Sequence, residues 1–183
     1  MKRMTSKEIL AESFREIAEE KSIDKITVRD ITENCGYSSA TFYRQFRDKY
    51  DLIAWEYSRE LEEIMSGVDG SRAVWQKALI DAANFFYQRK AYLANLFLHT
   101  SGLESFITYM REIHCQIIRQ AVEKASPGKP VDAMTEMYIR VYVLGAVQFT
   151  CEWILGKFEA DPEKLAMVYE QTLPPPLQRR LSE

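Results

Sequence analysis

Between Ser38 and Lys49 the chain sets out side chains suited to reading the edges of base pairs. Ser38, Ser39, Ala40, Thr41, Tyr43, Arg44 and Gln45 are small or hydrogen-bonding, while Phe42 and Phe46, four apart, share the opposite face of a helix. Small residues at the front of such a helix let its backbone approach the floor of a DNA major groove, where Arg44 and Gln45 could donate to bases. Lys49 follows, with Asp48 placed to cap a new helix. Free N–H groups at a helix start, together with an ammonium, suit an anion such as a phosphate. The competing reading is an ordinary helical hairpin with a solvated polar face, and the pattern by itself fits both.

The residues just before this stretch would position it. Thr27 and Asp30 have capping-box spacing, with Ile26 and Ile31 as the hydrophobic staple. Val28 and Ile31 share one face, Gly36 supplies a left-handed helix end, and Ser38 caps the second helix with Tyr37 stapled to Phe42. Two short helices across a sharp turn make a helix-turn-helix, whose second helix enters the major groove. Arg29 has two readings, a phosphate contact or a surface arginine paired with Asp30 or Glu33. Cys35 also has two readings, a redox switch or a small packing residue, and the lack of a nearby cation to activate its thiol favours packing.

A first helix should start at Thr5, with Glu8 completing a capping box and Leu10, Phe14, Ile17 and Ala18 as the apolar stripe. A longer helix over residues 49–65 should connect this unit to the rest, and Gly67 with Asp69-Gly70 should end it. The expected division is therefore a DNA-binding domain over 1–50, a connecting helix over 49–65 and a second domain over 66–183.

Composition bounds the rest. The chain has 183 residues, 46% hydrophobic and 28% charged, with a net charge of −3, so no overall basic field argues for nucleic acid. Any DNA binding must rest on local placement. Three scattered cysteines and two histidines show no metal-ligand spacing, which predicts reduced thiols, no metal and no cofactor. There is no glycine-rich phosphate loop, nucleophile elbow or paired carboxylate set, so the chain does not read as an enzyme. The most apolar run, Val141 to Cys151, is too short to cross a bilayer, and the charged N-terminus is unlike a signal peptide. A cytoplasmic location is expected, with no membrane partner.

Beyond residue 70 the periodicity predicts helices with stripes at Trp75, Ala78, Leu79, Ala82 and Phe86. A break is expected near Arg89-Lys90, with a short helix that ends by Gly102. Leu103 to Ala125 should be helical, with Phe106, Met110, Ile113, Ile117 and Ala121 inward. Asp132 caps a further helix that is apolar over more than one face, and so deeply buried or shared with a partner. Gly145 lies inside it and costs about 1 kcal/mol relative to alanine, a cost that close approach of a helix or ligand would offset. Asp161-Pro162 starts the last helix, Pro174 to Pro176 stops it, and the tail from Leu177 should be loose.

The run Thr27-Val28-Arg29-Asp30-Ile31, then Gly36, then Thr41 to Phe46 and Asp48 to Leu52, resembles the DNA-binding domain of TetR-family transcriptional regulators. Asn84-Phe85-Phe86, the segment around Phe106, and Tyr142 through Gly145 to Trp153 resemble the C-terminal region of one branch, which includes regulators of dihydroxyacetone kinase genes. The resemblance implies an all-α protein with a three-helix helix-turn-helix domain and a helical ligand-binding and dimerisation bundle. It implies phosphate contacts from Thr27, Tyr43 and Lys49, with Ser39, Ala40, Thr41 and Arg44 toward base edges and Ser38 and Arg29 beside them. It also implies a homodimer on a palindromic double-stranded operator, paired through the last two long helices with Tyr138, Gly145 and Trp153 at the interface. A small-molecule effector, or a protein co-regulator in its place, would act on the C-terminal domain. Phe86, Phe97, Phe106, Tyr109, His114, Tyr142 and Phe149 are the candidate lining, though a stripe at helical spacing is also what plain core looks like. The rival reading is a helical adaptor or co-regulator that does not itself regulate through DNA.

Overall fold

The computed structural model describes residues 4–99 and 103–182, 78% of the chain being helical, with no strand among the described residues. The helices are α1 (Ser6–Glu20), α2 (Val28–Asn34), α3 (Ser39–Gln45), α4 (Lys49–Met65), α5 (Arg72–Gln88), α6 (Lys90–His99), α7 (Leu103–Ala125), α8 (Ala133–Ile154), α9 (Pro162–Gln171) and α10 (Pro175–Leu181). A 3-10 turn over Ile23–Lys25 joins α1 to α2. The expected stop at Gly102 lies outside the described residues.

Two compact units are present. One is Met1–Glu60 with Ala91–Leu103, the other Leu61–Lys90 with Glu104–Glu183. This differs from the division into 1–50 and 66–183: α4 is shared at Glu60, and α6 belongs with the N-terminal helices although it follows α5 in sequence. The amide of Asn95 on α6 gives the physical reason, since it donates to the carbonyls of Ala18 at 2.8 Å and Lys21 at 3.1 Å.

In the first unit, Thr5 and Glu8 form the capping box that starts α1. Leu10, Phe14, Ile31 and Phe42 are fully buried and form the centre of the three-helix core, and Phe46 is nearly so. Ile17, expected in the stripe, is half-buried. Ser13 places a hydroxyl inside this core, where it donates to the Ile31 carbonyl at 2.7 Å and so is satisfied. Glu56 of α4 is also buried, with its Oε1 2.7 Å from Arg15 Nε.

In the second unit α5 lies along α9, and Gln76 and Arg72 both donate to the Glu170 carboxylate. Trp75 and Leu79 are buried as the periodicity predicted, whereas Ala82 is half-buried. Arg119 of α7 forks onto Glu136 of α8 at 2.9 and 2.6 Å. Gly70 precedes α5 with φ at 95°, and a Cβ there would sit 3.3 Å from both the Ala125 Cβ and the Arg180 carbonyl. Any other residue would be strained in that backbone conformation and would press on both neighbours.

The tail corrects the sequence reading. Residues after Pro174 form α10, because prolines at the first helical positions favour a helix start as readily as they stop the preceding helix. Leu177 and Leu181, one turn apart, are both fully buried, and Arg180 donates to the carbonyls of Val122 and Lys129.

Candidate nucleic-acid interface and regulatory cavity

The turn between α2 and α3 is built as its residues dictate. Thr27 caps α2: its hydroxyl accepts the Asp30 N–H at 3.1 Å, and the Asp30 carboxylate takes the Thr27 N–H at 2.7 Å. Lys21 donates to the same carboxylate at 2.7 Å, and this bond, with the two from Thr27, holds Asp30 well below the usual carboxylate range. At the other end Gly36 takes φ of 72°, and the Tyr37 N–H returns to the Thr32 carbonyl at 2.8 Å, a glycine-centred helix stop. Ser38 then caps α3 by accepting the Thr41 N–H at 3.2 Å.

This geometry turns one face of α3 outward. Ser38, Ser39, Ala40, Tyr43 and Arg44 are exposed and Thr41 is half-buried, while Phe42 and Phe46 pack together 5.7 Å apart on the inner side. Arg29 is exposed and paired with Glu33 at 2.7 Å, the surface pairing that its spacing allowed. Cys35 donates its thiol to the Ile31 carbonyl at 3.3 Å, a packing role.

Lys49 is placed differently from expectation. Its ammonium donates to the carbonyls of Ile23 at 2.7 Å, Asp24 at 3.1 Å and Ile26 at 2.8 Å, which engages all three of its N–H groups inside the unit. Burial lowers its pKa, and the nearby Asp24 charge partly offsets that. The anion-facing lysine read from the helix start is therefore a backbone clamp here. Asp48, as expected, caps α4 by accepting the N–H groups of Tyr50 and Asp51. Asp51 in turn takes the Arg47 N–H and guanidinium, and these bonds lower its pKa.

The second unit encloses a cavity of about 70 Å³ lined by Phe86, His114 and Tyr142 of the expected set, together with Leu79, Ile118, Thr150 and Tyr169. Its hydroxyls are used internally. Tyr142 donates to the Tyr169 carbonyl at 2.9 Å, and the Tyr169 hydroxyl meets the Thr150 hydroxyl. Burial pushes the Tyr169 phenol up to about 12 and raises Tyr142 as well. His114 stacks on Phe86 at 6.2 Å, and burial depresses its pKa to about 4, so it is neutral at pH 7. Thr150 and Tyr169 went unread in the sequence; two polar residues in otherwise apolar stretches were the available signal.

The other pocket candidates lie elsewhere. Phe97 is buried on α6 in the first unit. Phe106 and Tyr109 stack on each other at 6.3 Å, and Phe149 stacks on Phe158 at 4.4 Å; none of the three lines the cavity. Trp153 cannot serve a dimer interface, because it is 1% exposed, stacks on Tyr87 and donates its indole N–H to the Ala160 carbonyl at 3.0 Å. Tyr138 is exposed, and nothing among the described residues comes within 4 Å of a Cβ placed on Gly145, so no close approach within the chain explains that glycine.

A capped α2, a glycine turn and an α3 with a polar outward face build a helix-turn-helix, a fold that DNA-binding regulators use. Comparison with known proteins makes this specific. Residues 9–54 match the family of bacterial regulatory proteins of the TetR type, and residues 74–174 match a transcriptional regulator C-terminal region of the same family. The chain belongs to the TetR family of transcriptional regulators and is not an enzyme. Over 105 residues it is 20% identical to the HTH-type dhaKLM operon transcriptional activator DhaS of Lactococcus lactis, a match covering 57% of this chain and 56% of that protein. The chain thus aligns with little more than half the length of this curated relative. Among solved structures, a dihydroxyacetone kinase operon activator DhaS superposes with a TM-score of 0.70 at 18% identity, covering 96% of this chain and 98% of that one. A TetR transcriptional regulator from Rhodococcus sp. RHA1 gives 0.61 at 18% identity, covering 96% and 97%. These likenesses carry the fold.

Proposed function

We propose that the protein is a homodimeric, sequence-specific DNA-binding regulator that reads a palindromic operator with α3. The observation that carries this reading is α3 itself, whose polar side chains face solvent in one band while Phe42 and Phe46 anchor it from behind. Ser39, Ala40, Thr41 and Arg44 are assigned to base edges, with Ser38, Thr27 and Tyr43 toward phosphates. Each strong bidentate contact of the Arg44 kind discriminates by about 1–3 kcal/mol.

The second copy is supported by the outer faces of α8 and α9. Met134, Met137, Tyr138, Val141 and Leu144 follow helical spacing on α8 and are 36–70% exposed, and Met167 and Val168 on α9 are 53% and 40% exposed. An apolar stripe of this kind is what a helical dimer interface covers. Two-fold symmetry then sets half-site centres roughly 34–36 Å apart, or a multiple. An effector acts on the second unit. The cavity of about 70 Å³ is far below the roughly 300–1,000 Å³ of ordinary ligand sites, so an occupant must widen it. The protein acts in the cytoplasm, where such an operator is found.

The test is selection of binding sites from random duplexes by the full-length chain, followed by Arg44→Ala. The selected sites should be palindromic, and Arg44→Ala should relax the preference at one base pair of each half-site. A selection that yields no preferred sequence, with weak binding of all duplexes, would instead support the adaptor reading.

A further inference from the structure

We infer that Asn95 is a positioning residue for DNA recognition, acting from α6 on the connector between α1 and α2, with Lys49 as its counterpart from the start of α4. The inference rests on the reading that α3 meets DNA.

The connector leads straight into Thr27, the cap of the helix-turn-helix, and its backbone is short of partners. The last carbonyls of α1 have no continuing helix to satisfy them, and a three-residue 3-10 turn supplies few bonds of its own. Two side chains fill the gap from different elements. Asn95 donates to Ala18 and Lys21 and accepts the Ile23 N–H at 3.4 Å, so both ends of its amide are used. Lys49 spends its three donors on Ile23, Asp24 and Ile26. An amide with donors and an acceptor at one tip is confined to asparagine and glutamine, and three donors on one atom to lysine. The residue types match what the connector lacks.

The consequence is a separation of roles. Phosphate attraction depends on cations that face the DNA, whereas base reading depends on where α3 sits to within a fraction of an ångström. Asn95 and Lys49 face the connector. Loosening them lets α2 and α3 shift on α1, which costs base contacts and leaves the sequence-independent attraction intact. Asn95 also lies on the helix joined at one end to α5 and at the other to α7, so the placement of the reading helices depends on a segment drawn from the C-terminal region.

The test uses the full-length chain and an operator selected by the wild type from random duplexes. Asn95→Ala and the isosteric Asn95→Asp, which lacks the two donors, should bind the selected duplex about tenfold or more weakly. Their binding to random duplex, and the slope of affinity against salt, should stay as in the wild type. Lys49→Met should behave in the same way, whereas loss of a phosphate contact would lower the slope by about one. Wild-type affinity for the selected duplex in both Asn95 variants overturns the inference, as does a lowered slope in Lys49→Met. Should the variants unfold, amide exchange on the wild type decides. The Ile23 N–H must then be protected like the amides of α1, and free exchange there overturns the clamp. A wild type that selects no sequence removes the DNA-reading role itself, an outcome distinct from a failure of the clamp alone.

Discussion

The Tyr142 hydroxyl donates to the Tyr169 carbonyl at 2.9 Å and ties the middle of α8 to the end of α9 beside the cavity. Tyr142→Phe removes that bond while keeping the ring. The expected cost is about 1 kcal/mol, the net value of one such bond, or a fall in melting temperature of roughly 2–4 °C. A thermal melt followed by circular dichroism checks it. An effector that widens the cavity should bind this variant more tightly, because one link between α8 and α9 is already gone.

The C-terminal helix should be essential to the second unit. Leu177 and Leu181 are fully buried, and truncating a buried leucine to alanine costs about 2–5 kcal/mol. Leu177→Ala should therefore lower the midpoint of urea unfolding clearly. An unchanged midpoint would mean that α10 is dispensable.

Val141 is 70% exposed at the centre of the apolar stripe on α8. Val141→Arg should leave the fold intact, since the side chain points to solvent in the monomer, yet yield a monomer by sedimentation at micromolar concentration. Operator affinity should fall with it, because a single half-site loses the linkage between the two reading helices. A wild type that sediments as a monomer would remove the two-copy reading.

His114 gives a pH signature. Its pKa is about 6.5 when exposed and about 4 in the fold, because burial disfavours the imidazolium. In that window the unfolded chain binds the extra proton, so stability should be full above pH 6.5 and decline as pH falls toward 4. Below 4 this contribution levels off. Asp30, whose carboxylate is held low, adds a separate loss only below the ordinary carboxylate range. His114→Leu should flatten the melting temperature between pH 4 and 6.5 and leave the steeper acid limb in place.

The parts of the structure that were legible in the sequence are those set by local spacing. The capping boxes at Thr5 and Thr27, the Gly36 stop, the caps at Ser38, Asp48, Asp132 and Asp161, and both ends of α4 depend on residues within a few positions of one another. What could not be read depends on partners far away in the chain. Nothing near Lys49 announces that it will bond to carbonyls more than twenty residues earlier, and nothing near Asn95 points to Ala18. Trp153 sits on the same apolar helix as Tyr138, and periodicity does not say which side of such a helix turns inward. The tail was misread because three prolines at a helix start and three at a helix stop look alike.

The chain crosses between its two units at Glu60, again at Lys90 and again near Leu103. One cut therefore cannot separate a reading head from a sensor. A fragment ending at Glu60 would leave behind Leu93, Leu96 and Phe97, each at most 2% exposed, along with the Asn95 amide. Such a fragment should be soluble only with difficulty and slack at its α1–α2 junction. Chimaeras with other regulators face the same constraint: whichever protein supplies the first sixty residues must also supply the ten of α6, or a surface that α6 can grip.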